Sequence, residues 1–283
     1  MKIITSITEM QTIAQNLKRE GNTIAFVPTM GFLHEGHASL LREGRNRGNI
    51  LILSLFVNPI QFGQNEDLDR YPRDAERDCR TAAECGVDFI FMPEATEMYP
   101  QGFQTSINVR ELSKPLCGTA RPGHFDGVAT VVAKLFNIVM PDLAFFGRKD
   151  YQQLALIRRM VADLSIPVSV IGMPIIRESD GLAMSSRNAY LSPVERKSAL
   201  ALSRAIHDIR SLYVSGERSI ETLRRKALTI ILQEPLLQID YLEFCNEHSL
   251  QPLTEATDDT LFALAVKAGT TRLIDNTVLG EKV

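Results

Sequence analysis

Short apolar runs alternate with amphipathic stretches through the first part of the chain. Residues 23–27, 50–57, 87–92, 142–146 and 167–171 are apolar and mostly rich in β-branched or aromatic side chains, the chemistry of strands buried on both faces. Between them, residues 38–45, 74–85, 128–140 and 151–164 space their apolar positions as helices do. The clearest sets Val128, Val131, Val132, Leu135, Phe136 and Val139 on one face. Strand and helix in alternation predict an α/β fold built on a doubly wound, Rossmann-like parallel sheet. Ligands are expected where the strands' carboxyl ends open into loops.

The texture changes after about residue 176. Pro193 stands where a helix opens, residues 193–214 and 219–233 read as two helices, and residues 239–244, 261–267 and 271–275 read as strands. The last two strands are joined as a hairpin across Ala268, Gly269 and Thr270. The expected division is therefore a Rossmann-like domain over residues 1–175 and a smaller α+β domain over 176–283.

Composition narrows the class of partner. The chain has 283 residues, 45% of them hydrophobic and 23% charged, and a net charge of -3. That balance supplies no basic field for nucleic acid or for an anionic membrane, so a small-molecule substrate is expected. The first residues lack the pattern of a secretory signal, and the longest apolar run, 50–57, is too short to span a bilayer. Cys79, Cys85, Cys117 and Cys245 form no CxxC motif and read as reduced thiols.

Four segments carry candidate chemistry. Residues 28–37, PTMGFLHEGH, follow the first of these strands and precede a helix. Two glycines allow close backbone approach, a helix N-terminus offers N–H groups to an anion, and His34 and His37, three apart, face the same side. Nucleotide phosphate is the reading this favours, although a His pair also suits a metal, with Glu35 a poor third ligand. Residues 181–188, GLAMSSRN, put two hydroxyls and a guanidinium in a small-residue loop that suits a triphosphate, or simply form a polar linker. In residues 146–153, FGRKDYQQ, Lys149 offers a compact charge, Asp150 a helix cap and Gln153 an amide one turn in. In residues 58–63, NPIQFG, the Gln61 amide offers donors and an acceptor to a hydroxy acid; Tyr71, Pro72 and Arg73 beyond it read equally well as a turn.

The His-Gly-His turn paired with the Ser-Ser-Arg loop resembles the two signatures of the HIGH-type nucleotidyltransferase superfamily. More closely, PTMGFLHEGH, NPIQFG, EDLDRYPR at 66–73, RPGHFDGVATVVAKLFNIV at 121–139, FGRKDYQQ and RESDGLAMSSRN at 177–188 resemble, in this order, the pantothenate synthetase (pantoate–β-alanine ligase) family over nearly the whole chain. The resemblance implies ATP contacts at Met30, Gly31, Phe32, Leu33, His34, Glu35, Gly36 and His37, at Gly147, Arg148, Lys149 and Asp150, and at Ile176, Met184, Ser185, Ser186 and Arg187. It implies pantoate-binding amides at Gln61 and Gln153, with Gln61 also near β-alanine. His37 matches the catalytic histidine, and His34, Lys149 and Arg187 are expected to join it on the phosphates. Arg148 stands where the family often has an acid, and its side chain is expected to face solvent.

The implied activity is ATP-dependent ligation of (R)-pantoate and β-alanine through a pantoyl adenylate, with release of AMP and pyrophosphate. Mg²⁺ is expected to travel with the nucleotide, since no dedicated metal cage is visible and the metal's ligands remain unassigned. The small domain is expected to act as a lid. A cytoplasmic homodimer is implied.

Overall fold

Alternate residues of the strand that begins at Ile24 face opposite layers. Ile24 and Phe26 pack into one apolar cluster, Ala25 and Val27 into another, and all four are fully buried. A strand covered on both sides in this way needs helices above and below it, and the chain supplies them.

The computed structural model describes residues 1–64 and 66–281. In chain order the elements are β1 (Lys2–Ile4), α1 (Ile7–Arg19), β2 (Ile24–Thr29), α2 (Glu35–Arg47), β3 (Ile50–Leu55), α3 (Ala75–Glu84), β4 (Phe89–Phe91), α4 (Ala95–Met98), α5 (Cys117–Ala120), α6 (His124–Val139), β5 (Leu143–Gly147), α7 (Tyr151–Asp163) and β6 (Ser169–Met173). There follow α8 (Pro193–Val214), α9 (Ile220–Leu232), β7 (Leu237–Asn246), β8 (Thr260–Ala268) and β9 (Thr271–Val278). Six strands form a sheet in the order β1-β4-β3-β2-β5-β6, with every pair parallel, and β7-β8-β9 form a small antiparallel sheet. The predicted fold class is the one observed.

β1 and α1 were not anticipated. β1 is too short to show a period, but α1 carries a legible start: Ser6 caps it by accepting from the Glu9 N–H at 3.5 Å, and Met10 and Ala14 bury one face. The helix predicted at 193–214 opens as expected, with Pro193 in its first turn and Ser192 and Glu195 forming a reciprocal capping box. The four cysteines are free thiols. No helix among the described residues is long and apolar enough to cross a membrane.

The small sheet is covered on one face by α8 and α9, where Leu202, Leu223, Phe244 and Phe262 share a cluster. Its other face leans on the large unit: Cys245, Leu261 and Ala263 belong to the same cluster as Tyr151 and Leu154 of α7. Arg177, in the crossing between the two sheets, grips the buried Asp275 of β9 through two bonds of 2.7 and 3.0 Å. Removing one partner of such a pair strands a buried charge. Arg177→Met is therefore expected to lower stability by about 2–3 kcal/mol in urea unfolding.

Candidate active site

Four loops leave adjacent strands β3, β2, β5 and β6 at their carboxyl ends and meet above the sheet. The loop after β2 turns sharply at Gly31, whose φ is +85° and where a Cβ would stand 2.9 Å from Asp78 Oδ2. Asp78, buried on α3, accepts the N–H groups of Phe32 at 2.7 Å and Leu33 at 2.6 Å and so fixes the turn. Burial raises its pKa although both N–H groups pull the other way.

The turn delivers His34 as the N-cap of α2. Its Nδ1 accepts from the Gly36 N–H at 3.1 Å, while His37 Nδ1 accepts from the His34 N–H at 3.3 Å. A backbone N–H can only donate, so both Nδ1 atoms are bare and the proton of each neutral ring lies on Nε2. The ring centroids are 4.1 Å apart. Burial, then the charge of Lys149, lowers the His34 pKa to about 4; burial, then His34 and Lys149, lowers His37 to about 3. At neutral pH the pair offers uncharged N–H donors.

After β5 a 3₁₀ turn, Arg148–Asp150, runs straight into α7. Asn276 of β9 donates to the carbonyls of Arg148 at 3.1 Å and Lys149 at 2.7 Å, so the small sheet steadies this turn. Two expectations are corrected here. Asp150 makes no side-chain capping bond to α7, because the turn leads directly into the helix and the half-exposed carboxylate lies 3.9 Å from Lys149 Nζ. Arg148 does not simply face solvent but pairs with Glu281 near the end of the chain.

After β3, the Gln61 carboxamide oxygen accepts from Asn58 Nδ2 at 3.0 Å and its Nε2 lies 3.2 Å from Met30 Sδ. Gly127 of α6 permits this turn to sit against the helix, since a Cβ there would be 2.5 Å from the Ile60 carbonyl oxygen. In the loop after β6, Met184 N–H bonds the Ile176 carbonyl at 3.0 Å, and Ser186 Oγ lies 3.5 Å from the Phe32 carbonyl. Arg187 is held fork to fork by Asp67 at 2.9 and 3.0 Å and lies over the Tyr71 ring. Burial opposes both charges, yet the pairing lowers the Asp67 pKa and raises that of Arg187.

These loops enclose a cavity of about 240 Å³. The first loop contributes Met30, His34, Gly36 and His37; the third contributes Gly147, Lys149 and Asp150; and Ile176, Met184, Ser185, Ser186 and Arg187 come from the last, with Gln61 and Gln153 completing the wall. Gly31, Phe32, Leu33, Glu35 and Arg148 do not line it: the first three form the turn held by Asp78, Glu35 pairs with Arg42 on its own helix, and Arg148 with Glu281. A second cavity of about 830 Å³ shares Arg121, His124, Lys149, Gln153 and Arg187 and extends to the small sheet. Gln152 is spent on structure, tying residues 112–117 to α7 through three bonds.

The chain matches the family described as Pantoate-beta-alanine ligase over residues 2–278. It belongs to that family. It is 74% identical, over 99% of both chains, to the pantothenate synthetase of Pelobacter propionicus. The crystal structure of pantothenate synthetase from Thermus thermophilus superposes with a TM-score of 0.94 at 44% identity, covering 99% of this chain and 100% of that one. Pantoate-beta-alanine ligase from Francisella tularensis, complexed with beta-gamma ATP and beta-alanine, superposes at 0.82 with 33% identity, covering 100% of this chain and 99% of that one.

Sequence reasoning gave no role to Asp78, Asp67 or Glu66, nor to Arg121 and His124. Asp78 had a signal: it shares with Ala82 the buried side of α3, where a lone carboxylate is out of place. The pairings of the others join segments far apart in the chain and leave no mark in local spacing.

The histidines set a pH dependence. Burial, aided by Arg121, also lowers His124 to about 4. Because the ordinary histidine value is near 6.5, the unfolded chain takes up these protons first, so their contribution to stability is full above pH 6.5. It falls as the pH drops from 6.5 to about 4, and to about 3 for His37. Urea unfolding across this window should lose stability on acidification. The slope should flatten when all three are replaced by glutamine or asparagine; an unchanged slope would show that these rings are not buried neutral.

Proposed function

We propose that this enzyme joins (R)-pantoate to β-alanine in two steps, through a pantoyl adenylate. The observation that carries the reading is the arrangement of one cleft: the Nε2–H groups of His34 and His37, the Lys149 ammonium and the Ser185, Ser186 and Arg187 loop border the same cavity as the Gln61 and Gln153 amides. Donors and cations suited to phosphate thus adjoin amides suited to a hydroxy acid.

A carboxylate and an ammonium do not condense at neutral pH, because the carboxylate is a poor electrophile. In the first step a pantoate carboxylate oxygen attacks the α-phosphorus of ATP, the bond to the β-phosphate oxygen breaks, and pyrophosphate leaves. His34, His37, Lys149 and Arg187 serve as catalytic residues by receiving the charge that gathers on the leaving group. Uncharged imidazoles suit this work, since they donate without drawing the pyrophosphate into a permanent ion pair. In the second step the free amine of β-alanine attacks the acyl carbon, the anhydride C–O bond breaks, AMP departs and the nitrogen gives up a proton. The four thiols lie outside this path, and no acyl-enzyme is required.

Magnesium would accompany the nucleotide. Both Nδ1 atoms of the His pair are committed to backbone N–H groups, Glu35 is turned to Arg42, and no group of three His, Cys, Asp or Glu side chains gathers among the described residues. The ion's ligands would then be phosphate oxygens and water, and no step is assigned to a metal held by the protein. Residues 176–283 act as a domain that closes over residues 1–175, a reading supported by the Asn276 bonds to the lysine turn and by the pairing of Arg187 with Asp67. The family likeness supports a cytoplasmic homodimer.

Exchange of labelled pyrophosphate into ATP is expected to require pantoate and not β-alanine. His37→Ala and Lys149→Ala should each slow adenylation by about a hundredfold or more. The same variants, given preformed pantoyl adenylate, should lose far less in amide formation. Equal losses in the two half-reactions would show that these side chains act in aminolysis as well, and exchange that demands β-alanine would overturn the two-step order.

A further inference from the structure

Glu66, Arg121 and His124 lie in segments that the reaction scheme leaves without a role, and they are joined end to end. Both oxygens of Glu66 engage Arg121, one of them at 2.7 Å from Nε. Arg121 Nη1 stands 3.0 Å from His124 Nε2. On its other side the ring places Nδ1 2.8 Å from the backbone carbonyl oxygen of Gln61.

The direction of each bond is forced. A guanidinium can only donate, so Nε2 of His124 is an acceptor and the ring proton lies on Nδ1, from which it is donated to Gln61. This tautomer is the opposite of that in His34 and His37, where Nδ1 is the acceptor. Burial opposes the ionisation of Glu66, but the hydrogen bond and charge of Arg121 outweigh it and keep the carboxyl below its usual range. The chain therefore runs from a carboxylate through a guanidinium and a neutral imidazole to a carbonyl, and Arg121 Nη2 also lies 3.5 Å from that Gln61 carbonyl.

We infer that Glu66, Arg121 and His124 are positioning residues that set the backbone of Gln61, and through it the amide that meets the hydroxy acid. The inference rests on the proposed role of Gln61. Its side chain is oriented separately, by Asn58 Nδ2 on the oxygen and Met30 Sδ beside the nitrogen. That fixes the amide's roll only while the turn beneath it stays in register. Pro59–Gln61 is a single 3₁₀ turn, so little within it resists displacement. The His124 bond anchors the turn on one flank, and Gly127, one helical turn away on α6, supports it from below. His124 contributes no atom to phosphate in this arrangement, and its effect should fall on the acid substrate alone.

Four variants and one spectrum test this. Histidine-selective ¹⁵N spectra of the wild type should show His124 as the Nδ1–H tautomer, with His34 and His37 as Nε2–H. His124→Phe keeps the ring's bulk but removes the donor, and should raise KM for pantoate about tenfold with KM for ATP changed by less than about twofold. His124→Asn, whose amide nitrogen can take the place of Nδ1, should restore most of the loss. Arg121→Met should release the tautomer lock, seen as mixed ring protonation, and raise KM for pantoate alone. Parallel rises in both KM values, no rescue by asparagine, or a wild-type His124 protonated on Nε2 would each overturn the inference. Gln61→Ala in the same assay separates the two readings. If it leaves KM for pantoate unchanged, the role of Gln61 itself fails; if it raises KM while His124→Phe does not, only the positioning chain fails.

Discussion

The site depends on the parallel pairing of β2 with β3 on one side and β5 on the other. From β2 the chain winds outward through β3 to β4; it then returns to the far side of β2 and winds the other way through β5 and β6. The helix that follows β2 therefore packs in one layer, with α3, and the helix that follows β5 in the opposite layer, with α6. Two neighbouring loops that must depart toward opposite faces leave a crevice between them. The His-Gly-His turn and the Lys149 turn are those loops, so topology alone brings together residues more than a hundred positions apart.

Into that crevice the chain packs charge with care for its compensation. Arg187 is matched by Asp67 and Arg121 by Glu66, both at hydrogen-bonding distance. The three half-buried imidazoles are held neutral, chiefly by desolvation. Lys149 differs: its nearest carboxylate is Asp150 at 3.9 Å, and its carbonyl rather than its ammonium is held by Asn276. The proposed nucleotide would thus meet one loosely compensated cation, flanked by preorganised neutral donors that cost little to desolvate. The same pairing limits repulsion among the cations of the crevice.

Much of this was legible in the sequence because it is local. The buried strands announced themselves as apolar runs, the helices by their period, and the chemistry by motifs sited where strands end. Local patterns also explain the failures. Asp150 has the chemistry of a cap, yet a 3₁₀ turn running into α7 removes the geometry for it; only coordinates reveal the backbone on which a capping residue sits. Arg148 looks like a surface cation until the end of the chain brings Glu281 against it. Asp67 and Glu66 stand in a recognisable run, EDLDRYPR, but their partners lie at 187 and 121, and no period within the run encodes either pairing. The tautomers of His34, His37 and His124 are likewise set by bonds rather than by residue type.

The segment that carries those two acids has neither helix nor strand between the Gln61 turn and α3 among its described residues. Its backbone is closed only by short turns, such as Arg70 N–H on the Asp67 carbonyl and Tyr71 N–H on the Leu68 carbonyl. What fixes it to the rest of the protein is largely side chains: Glu66 on Arg121, Asp67 on Arg187, Tyr71 beneath Arg187, and the Tyr190 hydroxyl on the Arg70 carbonyl. The contacts that orient the arginines are therefore the contacts that order the segment. A substitution at Arg187 removes a cation from the cleft and also releases Asp67 and the face of Tyr71, so its effect on rate mixes lost charge with lost order. Lys149 is the cleaner probe of the proposed phosphate chemistry, because the turn that bears it is held by Asn276 through backbone carbonyls that survive truncation of its side chain, whereas truncating His37 keeps the Asp78 bonds but frees the His34 N–H that its Nδ1 accepts.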